Sequence, residues 1–481
     1  MPIVRQVGFV GPSYTLRSVS FDAQRCVNLY PELDELGTGK NREVAALVQR
    51  PGLLKLATLG IGPIRGLYRA STGNTFAVSG TGLYEITVPT APVLLATGTT
   101  GSGPVSIADN GIHLVMVDGA KGYALNLSTG VLVEITDADF PAGANVVQFQ
   151  DQYIIVNEPG SSRFWISALA DATNWDGLDF ASAEGSPDRL VTLLVNNREL
   201  ILFGAQSTEI FFNSGNPDFP FERIQGAFIE QGIAAAATAK EIDNSPFWLG
   251  QDENGNGMVW RLVGYQGKRV STHAVEQAIA GYGDLSAATA YVYQWKGHSF
   301  YALNFPSANT TWVFDIATNL WSEQTYTKPT GGEIRHRAEN HCFDGTRHLV
   351  GDFENGNLYQ LSDETYTDDG APITRRRRAP HRANDGKWIF NYSFQLDLEM
   401  GVGLVSGNGS DPKLMYRFSD DGGRTWSNEK WVSAGKIGEY KKRAIWRRLG
   451  KTRDRVDEVV CTDPVRMTWI SALHGVEGGA H

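Results

Sequence analysis

The strongest constraint on the fold is a repeated segment in which an aromatic residue sits among β-forming residues, next to glycine or a polar turn. Its seven centres are Tyr84, Tyr123, Trp165, Phe211, Trp260, Trp312 and Tyr359. Successive centres lie 39, 42, 46, 49, 52 and 47 residues apart. This spacing suits one four-stranded sheet per repeat, which is the period of β-propeller blades.

Single repeats divide into four short strands separated by turn residues. The first divides into residues 64–70, 74–80, 83–88 and 92–98, and a later one into 290–295, 299–305, 312–316 and 320–326. One such sheet cannot bury both of its faces, whereas sheets stacked around an axis can, and ring closure protects their edges. The pattern predicts a β-propeller of five to seven blades over residues 51–370. An array of β-sandwiches with accidental spacing is the alternative.

Composition supports an all-β chain. The 53 glycines and the 11% of aromatic residues suit tight turns and half-buried strands. The clearest helical segment is residues 273–280. No apolar run reaches eighteen residues and the first residues lack an apolar core segment, so we expect neither a membrane span nor a secretory signal. Cys26, Cys342 and Cys461 lack paired spacing, so no disulfide, zinc site or cofactor is predicted.

The charge changes sign along the chain. Residues 1–370 hold 23 Lys and Arg against 40 Asp and Glu, whereas residues 371–481 hold 20 against 13. A turn-rich segment at 367–372 marks the change. We predict an extended N-terminal arm (1–50), the propeller (51–370) and a small, basic C-terminal β-sandwich (371–481). Strands of the sandwich are expected at 388–399, 413–418, 457–461 and 467–473.

Residues 419–426 match the Asp-box pattern S-x-D-x-G-x-T-W, a structural hairpin turn found in sialidases and other propellers. The predicted turn residues are Ser419, Asp421, Gly423, Thr425 and Trp426. We expect Asp421 to accept backbone N–H bonds, Gly423 to supply an unusual dihedral angle and Trp426 to pack beneath the turn. A sialidase also needs three arginines that bind a carboxylate and a tyrosine nucleophile, which the sequence does not identify.

Two other groups resemble metal sites. His336, His341 and His348 lie close in sequence, but we interpret them as surface polar residues because strand geometry separates such pairs. Residues 252–257 resemble a calcium loop, yet Val263 occupies the position that requires a bidentate glutamate. A polar hairpin tip is the better interpretation. No catalytic or metal-binding residue is predicted.

Two basic clusters fall in the C-terminal region, residues 375–378 and 441–455. They could neutralise DNA phosphates, but they lack the regular aromatic residues that stack on bases. A contact with an acidic protein neighbour is the favoured interpretation. The predicted interface residues are Arg375, Arg376, Arg377, Arg378, Trp446, Arg447, Arg448 and Arg453.

Three segments together resemble the packaged-DNA stabilisation, or tail nozzle, proteins of short-tailed phages. They are Gln-Arg-Cys-Val-Asn-Leu-Tyr-Pro-Glu at 24–32 followed by Pro-Gly-Leu at 51–53, the segment 417–427 around the Asp box, and Ala-Ile-Trp-Arg-Arg-Leu-Gly at 444–450, which continues to Asp-Pro-Val at 463–465. Their order and separations resemble that family across nearly the whole chain.

The resemblance implies a non-enzymatic virion protein of the tail, assembled in the host cytoplasm. It implies a homo-hexameric ring below the portal and its adaptor protein, which retains packaged DNA and lets it pass during ejection. A tail needle or plug, and a tailspike or fibre, would be further partners. A receptor- or glycan-binding tail propeller and a sialidase-like glycosidase are the alternatives.

Overall fold

The computed structural model describes residues 3–5, 8–34, 45–252 and 255–479. The structure is 53% strand and 2% helix, so nearly all of its regular secondary structure is β-strand. The α-helix His273–Ala280 occupies the predicted segment, and the Thr272 side chain caps it by accepting the Val275 N–H. A short 3-10 helix spans Ala236–Thr238. The all-β prediction is confirmed.

Seven antiparallel blades follow one another along the chain; the first five are separate four-stranded sheets, and the sixth and seventh are four-stranded parts of larger sheets. Blade 1 comprises Ile64–Arg69, Thr75–Ser79, Gly82–Glu85 and Val93–Thr97. Blade 2 comprises Ser106–Asp109, His113–Val117, Gly122–Asn126 and Leu132–Glu134. Blade 3 comprises Val147–Gln150, Tyr153–Asn157, Arg163–Ala168 and Asp171–Ser182. Blade 4 comprises Leu190–Asn196, Glu199–Gly204, Thr208–Asn213 and Phe221–Ile229.

The remaining blades follow the same plan. Blade 5 comprises Lys240–Ile242, Ser245–Gln251, Gly257–Val263 and Gln266–Arg269. Blade 6 comprises Thr289–Trp295, His298–Phe305, Thr310–Asp315 and Leu320–Thr327, to which Glu333–Arg335 adds. Blade 7 comprises Ala338–Phe343, His348–Asp352, Asn357–Ser362 and, from far upstream, Gly52–Thr58. The short pair Thr367–Asp368 and Ala371–Pro372 extends blade 7.

Each aromatic repeat centre lies on the third strand of its blade, from Tyr84 in blade 1 to Tyr359 in blade 7. Tyr123, Phe211, Trp312 and Tyr359 are buried, and the other three are half-buried. The propeller prediction is confirmed, with a blade number at the upper end of the predicted range.

The ring closes where the two ends of the propeller meet. Gly52–Thr58 pairs antiparallel with Asn357–Ser362, so that an early strand completes the last blade. The first strands of the blades face the axis, and the first strand of blade 7 lies against that of blade 1. Ile64 of blade 1 packs with Leu349 and Leu358 of blade 7 in one buried cluster. Closure therefore buries the apolar faces of blades 1 and 7 that an incomplete ring would expose.

Two sheets form the C-terminal β-sandwich, which confirms that part of the fold prediction. The first contains Leu29–Leu33, Ala45–Gln49, Thr468–Gly478, Ile389–Leu398 and Ala444–Arg447, with Ile3–Arg5 and Lys451–Thr452 at its margins. The second contains Ala23–Val27, Arg375–Arg378, Asp454–Cys461, Lys413–Ser419 and Lys430–Ser433, with Tyr14–Thr15 and Arg382–Ala383 at its margins. Phe394, Tyr416 and Trp469 fill the core between them.

The described part of residues 1–50 is extended and supplies strands to both sheets of the sandwich. Leu29 and Leu47 lie in its core. Ala23–Val27 pairs with Arg375–Arg378 on one side and with Leu320–Thr327 of blade 6 on the other. One continuous sheet therefore joins the propeller to the sandwich. The division of the chain at residues 50 and 370 stays a prediction.

Candidate functional site

The four-arginine run is a buried strand with two different faces. Arg375 and Arg377 point inward and are 0% exposed. The Arg377 guanidinium donates to the carbonyls of Phe9 at 2.5 Å and Pro12 at 2.7 Å, and to the Gln24 side chain at 2.7 Å. Burial lowers its pKa to about 10. These donors are satisfied inside the protein, and a role of Arg377 at a ring or adaptor interface stays a prediction.

Arg375 is enclosed in the same way. It donates to the Gln49 side chain at 2.8 Å, to the Val465 carbonyl at 2.6 Å and to the Cys461 carbonyl at 3.3 Å. Its acceptors come from both ends of the chain, so Arg375 links the N-terminal strand that ends at Gln49 to the C-terminal part of the sandwich. The interface role stays a prediction for Arg375 as well.

Arg376 and Arg378 lie on the opposite face of the strand and are half-buried. Arg376 binds Glu333 through contacts of 2.6 and 3.0 Å, and Arg378 binds Glu458 at 2.9 Å. Burial alone would raise the pKa of Glu458, but Arg378, Arg376 and Arg417 together hold it below its usual range. Carboxylates of the chain already neutralise these two arginines, and a role for them at an interface stays a prediction.

Trp446 belongs to the sandwich core. It is 3% exposed, its Nε1 donates to the Lys430 carbonyl at 2.7 Å, and its ring packs against Tyr416 and Phe394. A contribution of Trp446 to an interface stays a prediction. Its large apolar ring fills the space between the two sheets.

Arg447, Arg448 and Arg453 are exposed, in contrast. The structure brings Arg447 and Arg448 together around a surface groove, the basic groove, which is lined by Phe390, Asn391, Tyr392, Ser393, Arg447, Arg448, Gly450 and Lys451. Phe390 is 41% exposed and Tyr392 36% exposed. Arginine together with exposed aromatic rings is the composition typical of protein interfaces.

Trp388 extends this basic groove. The Lys451 Nζ lies 4.6 Å and the Arg453 Cζ 4.7 Å from the centre of its ring, so both cations are held against it. The sequence reasoning missed Trp388, Phe390 and Tyr392. The alternation of buried and exposed positions from Ile389 onward is the signal that could have identified the two outward rings.

The Asp-box residues form a closed turn. The Asp421 carboxylate accepts the N–H groups of Arg424 and Thr425 at 3.0 and 2.8 Å and the Ser419 hydroxyl at 2.7 Å. Hydrogen bonds from Thr425 and Ser419 hold the pKa of Asp421 far below its usual range. Gly423 has φ +93°, and the Cζ atoms of Arg378 and Arg417 lie 4.7 and 4.9 Å from the centre of the Trp426 ring. The geometry is structural and leaves no acidic group free for chemistry.

The histidine cluster differs from its interpretation as surface residues. His336 is 1% exposed, and its Nδ1 lies 3.2 Å from the Tyr291 hydroxyl. His341 and His348 stack with their ring nitrogens 3.1 Å apart. Among the residues that the structure describes, no group of three or more His, Cys, Asp or Glu is placed to hold a metal ion.

The calcium-like segment lies between the second and third strands of blade 5. The Asp252 carboxylate accepts the Asn256 N–H at 2.8 Å, as in a polar hairpin tip. Residues 253 and 254 lie outside the described ranges.

A cavity of about 520 Å³ lies on the propeller axis, where first-strand residues of the blades face one another. This axial cavity contains four charged side chains, Arg65, Lys240, Arg335 and Glu339. No tyrosine is among the described residues that line it. The glycosidase alternative requires a tyrosine nucleophile, so this cavity does not offer the expected site.

Comparisons with known proteins agree with this architecture. Residues 6–366 match the family model described as bacteriophage P22 Gp10, beta-propeller, and residues 374–472 match that described as bacteriophage P22 Gp10, beta-sandwich. No curated protein matches the sequence. In the described residues no helix has the length and apolarity needed to cross a membrane.

Similar solved structures share little sequence with the chain. The extracellular domain of BT4673 from B. thetaiotaomicron is 9% identical with a TM-score of 0.45. The match covers 80% of this chain and 47% of that domain. PorZ of the type-IX secretion system of Porphyromonas gingivalis is 11% identical with a TM-score of 0.38. The match covers 79% of this chain and 46% of the PorZ chain. The chain thus spans about half the length of these proteins.

The two family matches together span nearly all of the chain and meet where the propeller gives way to the sandwich. The chain therefore belongs to the bacteriophage P22 Gp10 family of structural phage tail proteins.

Proposed function

We propose that the protein is a subunit of the tail nozzle, a homo-hexameric ring that ends the DNA channel below the portal and its adaptor protein. The observation that carries the proposal is the exposed basic groove on a sandwich that is fastened to an acidic propeller. A surface with Arg447, Arg448 and Lys451 beside Phe390 and Tyr392 suits an acidic protein partner.

The charge division of the chain supports contacts between neighbours. Residues 1–370 carry 17 more acidic than basic residues, and residues 371–481 carry seven more basic than acidic ones. A basic sandwich that faces the acidic surface of another copy, or of the adaptor, lowers the electrostatic energy of assembly. Because blade 6 and the sandwich share a sheet, the two surfaces keep a fixed relative position.

An acidic propeller also suits a protein that lets DNA pass. Negative surface charge repels phosphate within about one Debye length, roughly 8 Å at physiological salt. A channel with such a surface retains packaged DNA when a needle or plug closes it. It does not bind a particular DNA sequence. A tailspike or fibre would attach to the same assembly, which forms in the host cytoplasm.

Charge reversal tests the proposal. A variant carrying Arg447→Glu, Arg448→Glu and Arg453→Glu should remain folded but fail to form rings, since all three side chains are exposed. Ring formation is measured by light scattering and electron microscopy of the purified chain, alone and with the adaptor protein. High salt should weaken the wild-type assembly.

The matched control reverses three exposed basic residues of the propeller, Lys55→Glu, Arg198→Glu and Lys268→Glu. It should assemble like the wild type. Six-fold rings formed equally by both triple variants would contradict the assignment of the basic groove. A wild-type chain that never forms a ring, with or without the adaptor, would contradict the nozzle proposal itself.

A further inference from the structure

The axial cavity of the propeller has a charge opposite to that of the propeller as a whole. Arg65, Lys240 and Arg335 contribute three positive side chains to its lining, against the single carboxylate of Glu339. The surrounding residues 1–370 are strongly acidic. Positive charge is therefore concentrated at the axis.

Two of the three cations already have partners. Arg65 donates to the backbone carbonyls of Gly103 at 2.6 Å and Gly80 at 2.9 Å, among others. Arg335 pairs with Glu339, and its guanidinium lies 3.6 Å from the centre of the Phe353 ring. Glu339 also accepts the Thr289 hydroxyl at 2.9 Å. The one carboxylate of the cavity is thus fully engaged.

Lys240 is different, since no hydrogen bond or ion pair to its ammonium group is found among the described residues. It opens the first strand of blade 5 and is half-buried, because the cavity itself admits water. Protein surrounds the side chain, and this burial lowers its pKa. A water-accessible ammonium group in a protein-lined cavity, with no counter-charge among the described residues, is a suitable partner for an anion.

The walls around Lys240 leave room for a ligand. Its neighbours Ala236, Ala237 and Ala239 also line the cavity, and their side chains are small. Gln148, from the first strand of blade 3, adds a polar amide to the lining. The volume of about 520 Å³ falls within the range of small-molecule sites.

We infer that the propeller axis holds a binding site for a small oxyanion, a phosphate or a carboxylate, with Lys240 as the residue that binds its charge. Arg65 and Arg335 remain held by their own partners. The site is independent of ring assembly, because it lies within one chain.

Calorimetric titration of the purified full-length chain tests the inference, with inorganic phosphate in one arm and citrate in the other. We expect one anion per chain, and the arm that binds more tightly identifies the class. Lys240→Met should weaken binding about tenfold or more. Lys268→Met, which removes an exposed lysine of the same blade, should leave the affinity unchanged.

Chemical labelling provides a second measurement that needs no variant. The anion should protect Lys240 of the wild type from an amine-acylating reagent, measured by mass spectrometry, and should not protect Lys268. Absence of saturable binding by either anion would overturn the inference. Unchanged binding by Lys240→Met, or equal labelling of Lys240 with and without anion, would do the same.

Discussion

At the scale of single residues, the stacked pair His341 and His348 links stability to pH. Their ring centres lie 5.3 Å apart in blade 7. Burial, and secondarily the neighbouring His348, lowers the pKa of His341 to about 3. The folded state therefore keeps this ring neutral where an unfolded histidine, with a pKa of about 6.5, takes up a proton. Its contribution to stability is complete above pH 6.5 and is lost as the pH falls towards 3.

We predict that His341→Gln flattens the pH dependence of unfolding between pH 6.5 and 4.5. The wild type should lose about 2 kcal/mol more than the variant over that interval, because one pKa unit corresponds to about 1.4 kcal/mol. Urea unfolding at a series of pH values measures the difference. His273→Gln is the control, since the side chain of His273 is 78% exposed. Equal slopes in all three proteins would contradict the assignment.

The burial of Arg375 and Arg377 could not be predicted from the sequence, because four identical residues carry no hydrophobic alternation. Only the strand assignment shows which two point inward, and their acceptors lie far away in the chain, at residues 8–24, 49 and 461–465. The exposure of Arg447 and Arg448 was easier to expect, since a charged side chain is exposed unless it has a specific partner. The hydrogen bonds of Asp421 in the Asp box were also local, as all fall within residues 419–425.

At the scale of elements, the third strands of the blades were identifiable because each carries an aromatic residue at a regular interval. The closing strand Gly52–Thr58 was assigned to the propeller region but not to the last blade. Its partner Asn357–Ser362 lies about three hundred residues away. The local pattern of apolar and polar residues does not reveal a strand partner at that separation. The same holds for Ala23–Val27, which joins blade 6 to the sandwich.

Gly52 is the position at which the closing strand tolerates no side chain. A Cβ atom there would lie 2.1 Å from the Thr365 carbonyl oxygen and 2.7 Å from that of Thr367. We predict that Gly52→Ala destabilises the protein by about 3 kcal/mol, since the backbone where the closing strand completes the ring must shift. Denaturant unfolding measures the loss, and hydrogen exchange should show faster opening of Asn357–Ser362. The control is Gly101→Ala, whose Cβ would meet only Thr81 Cγ2 at 3.7 Å. Similar stability of both variants would contradict this account of the ring closure.

At the scale of the whole molecule, the sandwich is a composite of the two ends of the chain. The family match for the sandwich begins at residue 374, and the charge also changes sign near residue 370. The folded unit nevertheless includes Ala23–Val27, Leu29–Leu33 and Ala45–Gln49. Sequence composition therefore shows where the charge changes along the chain. The hydrogen bonds and the core show which strands belong to the sandwich.

A fragment of residues 371–481 should therefore fail to fold alone. It lacks Leu29 and Leu47 of the core, and it would bury Arg377 without the Phe9, Pro12 and Gln24 acceptors. An unpaired buried guanidinium costs several kcal/mol, which is comparable to the total stability of a small domain. Joining residues 1–50 to the C-terminal end of the fragment through a flexible linker should restore cooperative unfolding, because both sheets regain their strands. Circular dichroism and thermal unfolding of the two fragments measure whether each one folds. Cooperative unfolding of 371–481 by itself would show that the sandwich folds without the N-terminal strands.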